Sequence, residues 1–225
     1  MARLARLVIP GLPYHVTQRG NRRGTTFFEE DDFLAYRELL KDAARASGAS
    51  IWAYCLMPNH VHLIVVPSDI DGLRATFANA HRRYARRINT RYRWSGHLWQ
   101  GRFGAVVMDE AHLAHAARYV ALNPVRARLC DRAQDWPWSS ARAHLSGEDD
   151  ELVEVAPLLE RLGDFAAFLG AEEDQQATRA LRMAETTGRP LGDAAWVELL
   201  EQQTGRILAP QKRGRKSGEI RLLSP

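Results

Sequence analysis

The sequence predicts an α+β protein: a ferredoxin-like split βαβ core with an antiparallel sheet, plus a small helical C-terminal appendage. Three observations carry this expectation. Hydrophobic patterning over the first part of the chain runs strand, helix, strand, strand, helix, strand. The second and third strands are joined by the compact turn Met57-Pro58-Asn59, so they should form a hairpin. Beyond Leu145 the chain turns acidic and carries only short helical patterns.

Residues 11–20, "GLPYHVTQRG", alternate as a strand, with Tyr14, Val16 and Gln18 on one face and His15 and Thr17 on the other. Residues 29–47 read as a helix. Acidic residues fill its first turn, where the helix dipole favours them, and Phe33, Tyr36, Leu39, Leu40 and Ala43 recur at helical spacing. Residues 50–56 form a second strand. In "MPNHVHLIVVP" the aliphatic run Val61, Leu63, Ile64, Val65, Val66 is bounded by prolines and reads as a buried third strand. A second helix spans residues 71 to about 93. "FGAVVM", residues 103–108, is a short fourth strand leading into Asp109, a good N-cap, and a third helix that should run to about Asn123 before Pro124 stops it. "DWPWSSARAHL" is expected to pack back on the core, and "SGEDDELVEVA" to be a surface connection. Two short helices are expected around 174–186 and 193–204. The end, "PQKRGRKSGEIRLLSP", lacks a usable apolar period. These readings divide the chain into a core at 1–145, an acidic helical region at 146–209 and a basic, flexible tail at 210–225.

Composition narrows the function. Of 225 residues, 45% are hydrophobic and 26% charged, ordinary for a soluble globular chain. Two cysteines, Cys55 and Cys130, leave no disulfide framework and no cysteine-rich metal site. No apolar run of about 18 residues appears, and "MARLARLVIPGLPYH" is too soon broken by proline to be a signal peptide. A cytoplasmic protein with no membrane role is expected. The net charge of +4 is unevenly spread. Residues 1–145 hold 21 Lys+Arg against 12 Asp+Glu, residues 146–209 hold 5 against 14, and the tail holds 5 against 1. The first segment and the tail suit a polyanion, and the middle does not. All but Lys41 of the basic residues in the first segment are arginines, the better side chain for bidentate phosphate contact and base stacking.

Two places carry chemistry. His60 and His62 are two apart in a strand and therefore share a face. Burying two imidazoles together is unfavourable unless each finds a partner. Either backbone groups satisfy them or a shared divalent metal does. On the third helix, Leu113, Ala117, Val120 and Ala121 form the core stripe, while His112, His115, Tyr119 and Asn123 fall in a separate polar wedge. Tyr119 reads either as a core-edge tyrosine or as a nucleophile.

The strand "NHVHLIV" followed by "RYVALNPVRA" resembles the HUH-type single-tyrosine transposases, and more closely their domesticated branch, the REP-associated tyrosine transposases. The opening "GLPYHVTQRGNRR", the turn "MPNHVH", "SGHLWQGRF" and the "NPVRARL … WPWSSA" run add to the likeness, which covers residues 1–145. The resemblance implies that this segment is an HUH transposase/nuclease domain, with metal ligands at His60, His62 and Asn123 and the nucleophile at Tyr119. Asn123 precedes Pro124, which disfavours a helical conformation there. Implied, too, are a divalent cation, magnesium or manganese, a 5′-phosphotyrosine intermediate, and recognition of palindromic hairpins in single-stranded DNA. Some relatives are dimers; the branch resemblance favours a monomer.

For DNA contact the sequence offers Arg82, Arg83, Arg86, Arg87 and Arg91 in "HRRYARRINTRYRW", together with Arg102 and the tail residues Lys212, Arg213 and Arg215. No acid interrupts residues 81–94, and Tyr84, Tyr92 and Trp94 could stack on unpaired bases. The leading reading is a metal-dependent single-strand DNA endonuclease and strand transferase. Its rival is a non-catalytic hairpin-binding regulator on the same scaffold. A structural metal protein fits less well, because three mixed ligands leave open positions.

Overall fold

The computed structural model describes residues 6–172 and 174–209. Lys212, Arg213 and Arg215 lie outside the described residues. The core elements are β1 (Tyr14–Arg19), α1 (Glu30–Ser47), β2 (Ser50–Met57), β3 (His60–Val66), α2 (Gly72–Tyr92), β4 (Gly104–Val107) and α3 (Glu110–Ala121). Their strands form one antiparallel sheet in the order β2-β3-β1-β4, the split βαβ arrangement the sequence predicts.

Strand alternation gives the sheet two different faces. Tyr14, Val16, Leu63, Val65, Tyr54 and Leu56 point to a core completed by Leu40 of α1 and Phe77 and Ile88 of α2. Each large side chain fully buried there contributes roughly 1.5–3 kcal/mol. Cys55, Ile64 and Val106 point the other way, to α3. His15, His60 and His62 belong to this second face, because they alternate with the first set.

Local chemistry sets the helix boundaries. Glu29 and Asp32 form a reciprocal capping box at the start of α1. Gly48, in the left-handed region at φ 64°, ends it. At the exit of β1, a Cβ on Gly20 would lie 2.2 Å from the Gly24 carbonyl oxygen, so only glycine fits. Arg22 and Arg23, which follow, both hold positive φ.

Pro124 does not end the helical path as expected. Leu122 breaks α3, and α4 (Asn123–Arg126) begins at once with proline in its first turn. There the missing N–H is no loss and the fixed φ is already helical.

Among the described residues five further α-helices follow: α5 (Ala141–Ser146), α6 (Ala156–Leu162), α7 (Phe165–Gly170), α8 (Gln175–Thr187) and α9 (Ala194–Thr204). The last two match the expected patterns, and Asp174 and Asp193 cap them. α5, α6 and α7 are too short to show a period in the sequence. "SGEDDELVEVA" connects α5 to α6 with most residues exposed, as expected, but it is anchored in the core. Leu152, Val153 and Val155 are buried in the main core, and Asp150 accepts a hydrogen bond from the Tyr54 hydroxyl. Its acids masked that apolar triplet. Trp136 and Trp138 pack on Phe33, as expected of the tryptophan-rich run. Among the described residues no helix is long and apolar enough to cross a membrane.

Candidate active site

The second face of the sheet brings together residues from β1, β3, α3, α4 and α8. The Tyr119 ring stands edge-on to His62, with centroids 5.3 Å apart, and 6.1 Å from His15. Residue alternation puts the histidines on the strands, and the helical stripe of α3 turns Tyr119 toward them while Leu113 and Val120 enter the core. Tyr119 is 7% exposed and Asn123 8%. Both line a pocket of about 410 Å³ together with His60, Arg19, Arg126, Arg182 and Glu185. The guanidinium carbons of Arg126 and Arg182 lie 5.0 and 5.6 Å from the Tyr119 ring centroid. Cations at this range stabilise a phenolate and attract a phosphate.

The structure thus brings four predicted residues, His60, His62, Tyr119 and Asn123, to one place. It splits the predicted polar wedge of α3. His112 turns back to the N-cap, its Nδ1 2.7 Å from Asp109, and His115 is exposed. Helical phase placed these histidines beside Tyr119, but the N-cap carboxylate captures the first and solvent the second.

Two site residues were not singled out in the sequence. His15 is fully buried, with Nε2 3.0 Å from His62 Nδ1. Glu185 of α8 places Oε1 3.6 Å from His15 Nδ1 and 3.9 Å from His62 Nδ1. Only strand register could have revealed His15, and nothing local marks Glu185, which lies in the acidic stretch judged unsuited to DNA. Arg126 did lie in the quoted "NPVRA" run; Arg19 and Arg182 enter through tertiary packing.

Burial governs the electrostatics. It lowers the pKa of His15 to about 3. Burial, then the nearby Arg19 charge, lowers that of His60 to about 4. His62 falls well below the ordinary imidazole value, first by burial and then by its histidine and arginine neighbours. All three imidazoles are neutral at physiological pH, the form that ligates metals. Burial raises Glu185 to about 7, against the opposing pull of Arg19 and Arg182.

The residues fit a divalent cation. His62 Nε2 is buried with no hydrogen-bond partner, an unmet demand a cation would satisfy. Ligand atoms of His15, His62 and Glu185 lie within 4.8 Å of one another, and Glu185 lines one pocket with His60 and Asn123. Imidazole, carboxylate and amide donors suit manganese or magnesium.

The predicted DNA-binding arginines divide. Arg102 lines a second pocket of about 460 Å³ with Arg19, Arg23 and Glu185, directly beside the first. Arg83, Arg86, Arg87 and Arg91 instead border a groove between α1 and α2 that also contains Glu38 and Asp42. Arg82 is exposed on the same helix. α2 covers the opposite face of the sheet, so the structure does not bring this cluster to the tyrosine. Arg91 is committed to the fold: its Nη2 donates to buried Asp32 at 2.6 Å. Tyr84 cannot stack on a base, being fully buried with its hydroxyl on the Thr26 carbonyl. Trp94 is half exposed and stacked on Tyr92.

A family profile described as "Transposase IS200 like" matches residues 9–123, just over half of the chain. A Haemophilus influenzae protein provisionally described as a REP-associated tyrosine transposase is 29% identical over 108 residues, 43% of this chain. The chain spans 61% of that relative's length. A solved REP-associated tyrosine transposase bound to a REP hairpin shares this fold with a TM-score of 0.57 at 20% identity. The match covers 69% of this chain and 93% of the other.

Proposed function

The chain belongs to the IS200-like transposase family, and from that premise we propose that it cleaves and rejoins single-stranded DNA at palindromic hairpins, using Tyr119 and a divalent cation. The observation that carries the reading is the meeting of Tyr119 with His62, ring to ring at 5.3 Å, where Tyr119 lines a pocket flanked by arginines. Arg126 and Arg182 hold the backbone phosphate against the tyrosine and balance charge as it develops. The Tyr119 oxygen attacks phosphorus, losing its proton as the Tyr–O–P bond forms. The bond to the 3′ oxygen breaks, and that oxygen takes up a proton and leaves as a 3′-hydroxyl. The 5′-phosphotyrosine retains the bond's energy, so rejoining needs no nucleotide triphosphate. A bound cation supplies Lewis acidity toward the scissile phosphate, with His60, His62 and Asn123 as its holders and manganese or magnesium as its identity. Tyrosine and histidines meet within one chain, which supports action as a monomer, and a DNA substrate is consistent with the cytoplasmic site of action expected from the sequence. The likeness to a protein solved with a REP hairpin supports hairpin DNA as the partner.

Tyr119→Phe tests the reading. It removes one oxygen and keeps the ring, so thermal stability and hairpin affinity should change little. Wild-type protein given a labelled single-stranded hairpin and manganese should carry label on a denaturing gel, and the variant should carry none. Equal labelling of both would remove Tyr119 from the nucleophile's role. Tight binding with no cleavage by wild type on any repeat, in either metal, would favour a regulator that only binds hairpins.

A further inference from the structure

The two histidines of β3 are each held by one ring nitrogen. His60 Nδ1 lies 2.6 Å from the Asn59 side-chain oxygen, and the Asn59 amide nitrogen donates to the Arg23 carbonyl at 3.0 Å. That second bond fixes which end of the amide faces His60, so His60 Nδ1 must donate. Its lone pair is therefore on Nε2.

His62 is held differently. Its Nδ1 is 3.0 Å from His15 Nε2, and the two rings are within 6° of coplanar with centroids 5.1 Å apart. One nitrogen of the contact donates and the other accepts. If His15 donated, its bare Nδ1 would face the Glu185 carboxylate at 3.6 Å, lone pair against lone pair. His62 Nε2 would then carry a buried N–H with no acceptor, an arrangement that costs about 1–3 kcal/mol. If His62 donates, the His15 Nδ1–H faces the carboxylate and His62 Nε2 is bare. The second arrangement turns an N–H dipole rather than a lone pair toward the carboxylate, an electrostatic contact longer than a hydrogen bond, and leaves no N–H on the buried His62 Nε2.

We propose that Asn59, acting on His60, and Glu185, acting through His15 on His62, are positioning residues that hold both imidazoles as Nδ1–H tautomers with Nε2 turned to a shared divalent cation. The inference rests on the metal-dependent reading above. It makes His15 and Glu185 a support of the centre rather than ligands. Because Glu185 stands on α8, beyond the segment that matches the family, cation capture depends on the docking of that helix. Such outer partners of ligating histidines are worth about 10–100-fold in metal affinity.

The test has one arm with metal and one without. Calorimetric titration with manganese should show Glu185→Ala and His15→Ala binding about 10–100-fold more weakly than wild type. Glu185→Gln, which keeps an oxygen opposite His15 Nδ1 but not the charge, should recover part of the loss. Pulsed electron paramagnetic resonance should count two imidazole nitrogens on manganese in wild type and still two in His15→Ala. Long-range ¹H–¹⁵N spectra of the protein without added metal should show His60 and His62 as Nδ1–H tautomers, with Asn59→Ala releasing only His60 and Glu185→Ala only His62. Loss of a bound nitrogen in His15→Ala would make His15 a ligand and overturn the proposal. So would unchanged affinity and tautomers in Glu185→Ala. A wild type that binds no manganese would defeat the metal-dependent reading instead, and the tautomer spectra would still decide the positioning one.

Discussion

Arginine serves several purposes in this chain, and neighbours decide which. Arg91 ties α2 to the first turn of α1 by closing on Asp32, a carboxylate with no solvent exposure. Arg82 and Arg86 stand on the same helix, likewise exposed, but without such a carboxylate partner among the described residues. Arg91→Ala should therefore lower thermal stability by about 1.5–3 kcal/mol, the range for a hydrogen bond to a charged group. Removing Arg82 and Arg86 should leave the melting temperature within experimental error. If these two contact phosphate, each loss should flatten the dependence of log affinity on log salt by about 0.7 on single strands. An unchanged slope would make them a solvated helix face. At this scale the sequence was most informative where chemistry and period coincide. A period of two aligns His60 and His62 and helical phase sets Tyr119 off the core stripe, but only the family resemblance, not the pattern, pointed to a ligand and nucleophile role. The tie of Arg91 to Asp32 was not legible because the partner acid sits on another helix, out of reach of any local pattern.

Among the elements, α3 matters most, since it delivers Tyr119, and its start is held by a single carboxylate. The Asp109 side chain accepts from the His112 backbone at 2.9 Å and from the Asp193 backbone at 2.9 Å, so it ties α3 to the cap of α9. Burial alone would raise the Asp109 carboxyl, yet the His112 backbone and ring and the Asp193 N–H bring it below the ordinary carboxylate range. A depressed folded-state pKa stabilises the fold above the unfolded value, near about 4. That contribution disappears as pH falls through the folded value. Asp109→Ala should cost about 0.5–2 kcal/mol at neutral pH. Chemical unfolding of wild type and variant should give curves that converge on acidification below about pH 4. A difference that persists there would show that the loss is one of packing rather than of charge. Caps of this kind were readable in advance, as at Asp109 and Asp193, because one residue type at one position signals them. The α3–α4 junction was not: proline is both a helix stop and a favoured first-turn residue, and only the chain's path decides between them.

The whole molecule binds its C-terminal helices closely to the sheet face that carries Tyr119. Arg118, beside Tyr119 on α3, donates to the Phe168 and Leu169 carbonyls at the end of α7. Leu191, just after α8, pairs with β4 and covers that edge of the sheet. Leu181 and Ala184 of α8 are buried in the same cluster as Val120 and Ile64. None of this was visible in the sequence, where short helices in acidic surroundings carry no sign of what they pack against. If α8 is part of the catalytic unit, Leu181→Ala should do more than loosen one helix. The buried leucine is 1% exposed, and its truncation should cost about 2–5 kcal/mol. Amide exchange should then speed up in α3 and β4 as well as in α8, because a cooperative unit opens together. Faster exchange confined to residues 175–187 would mean that α8 opens by itself and that the sheet keeps its tyrosine face intact without it.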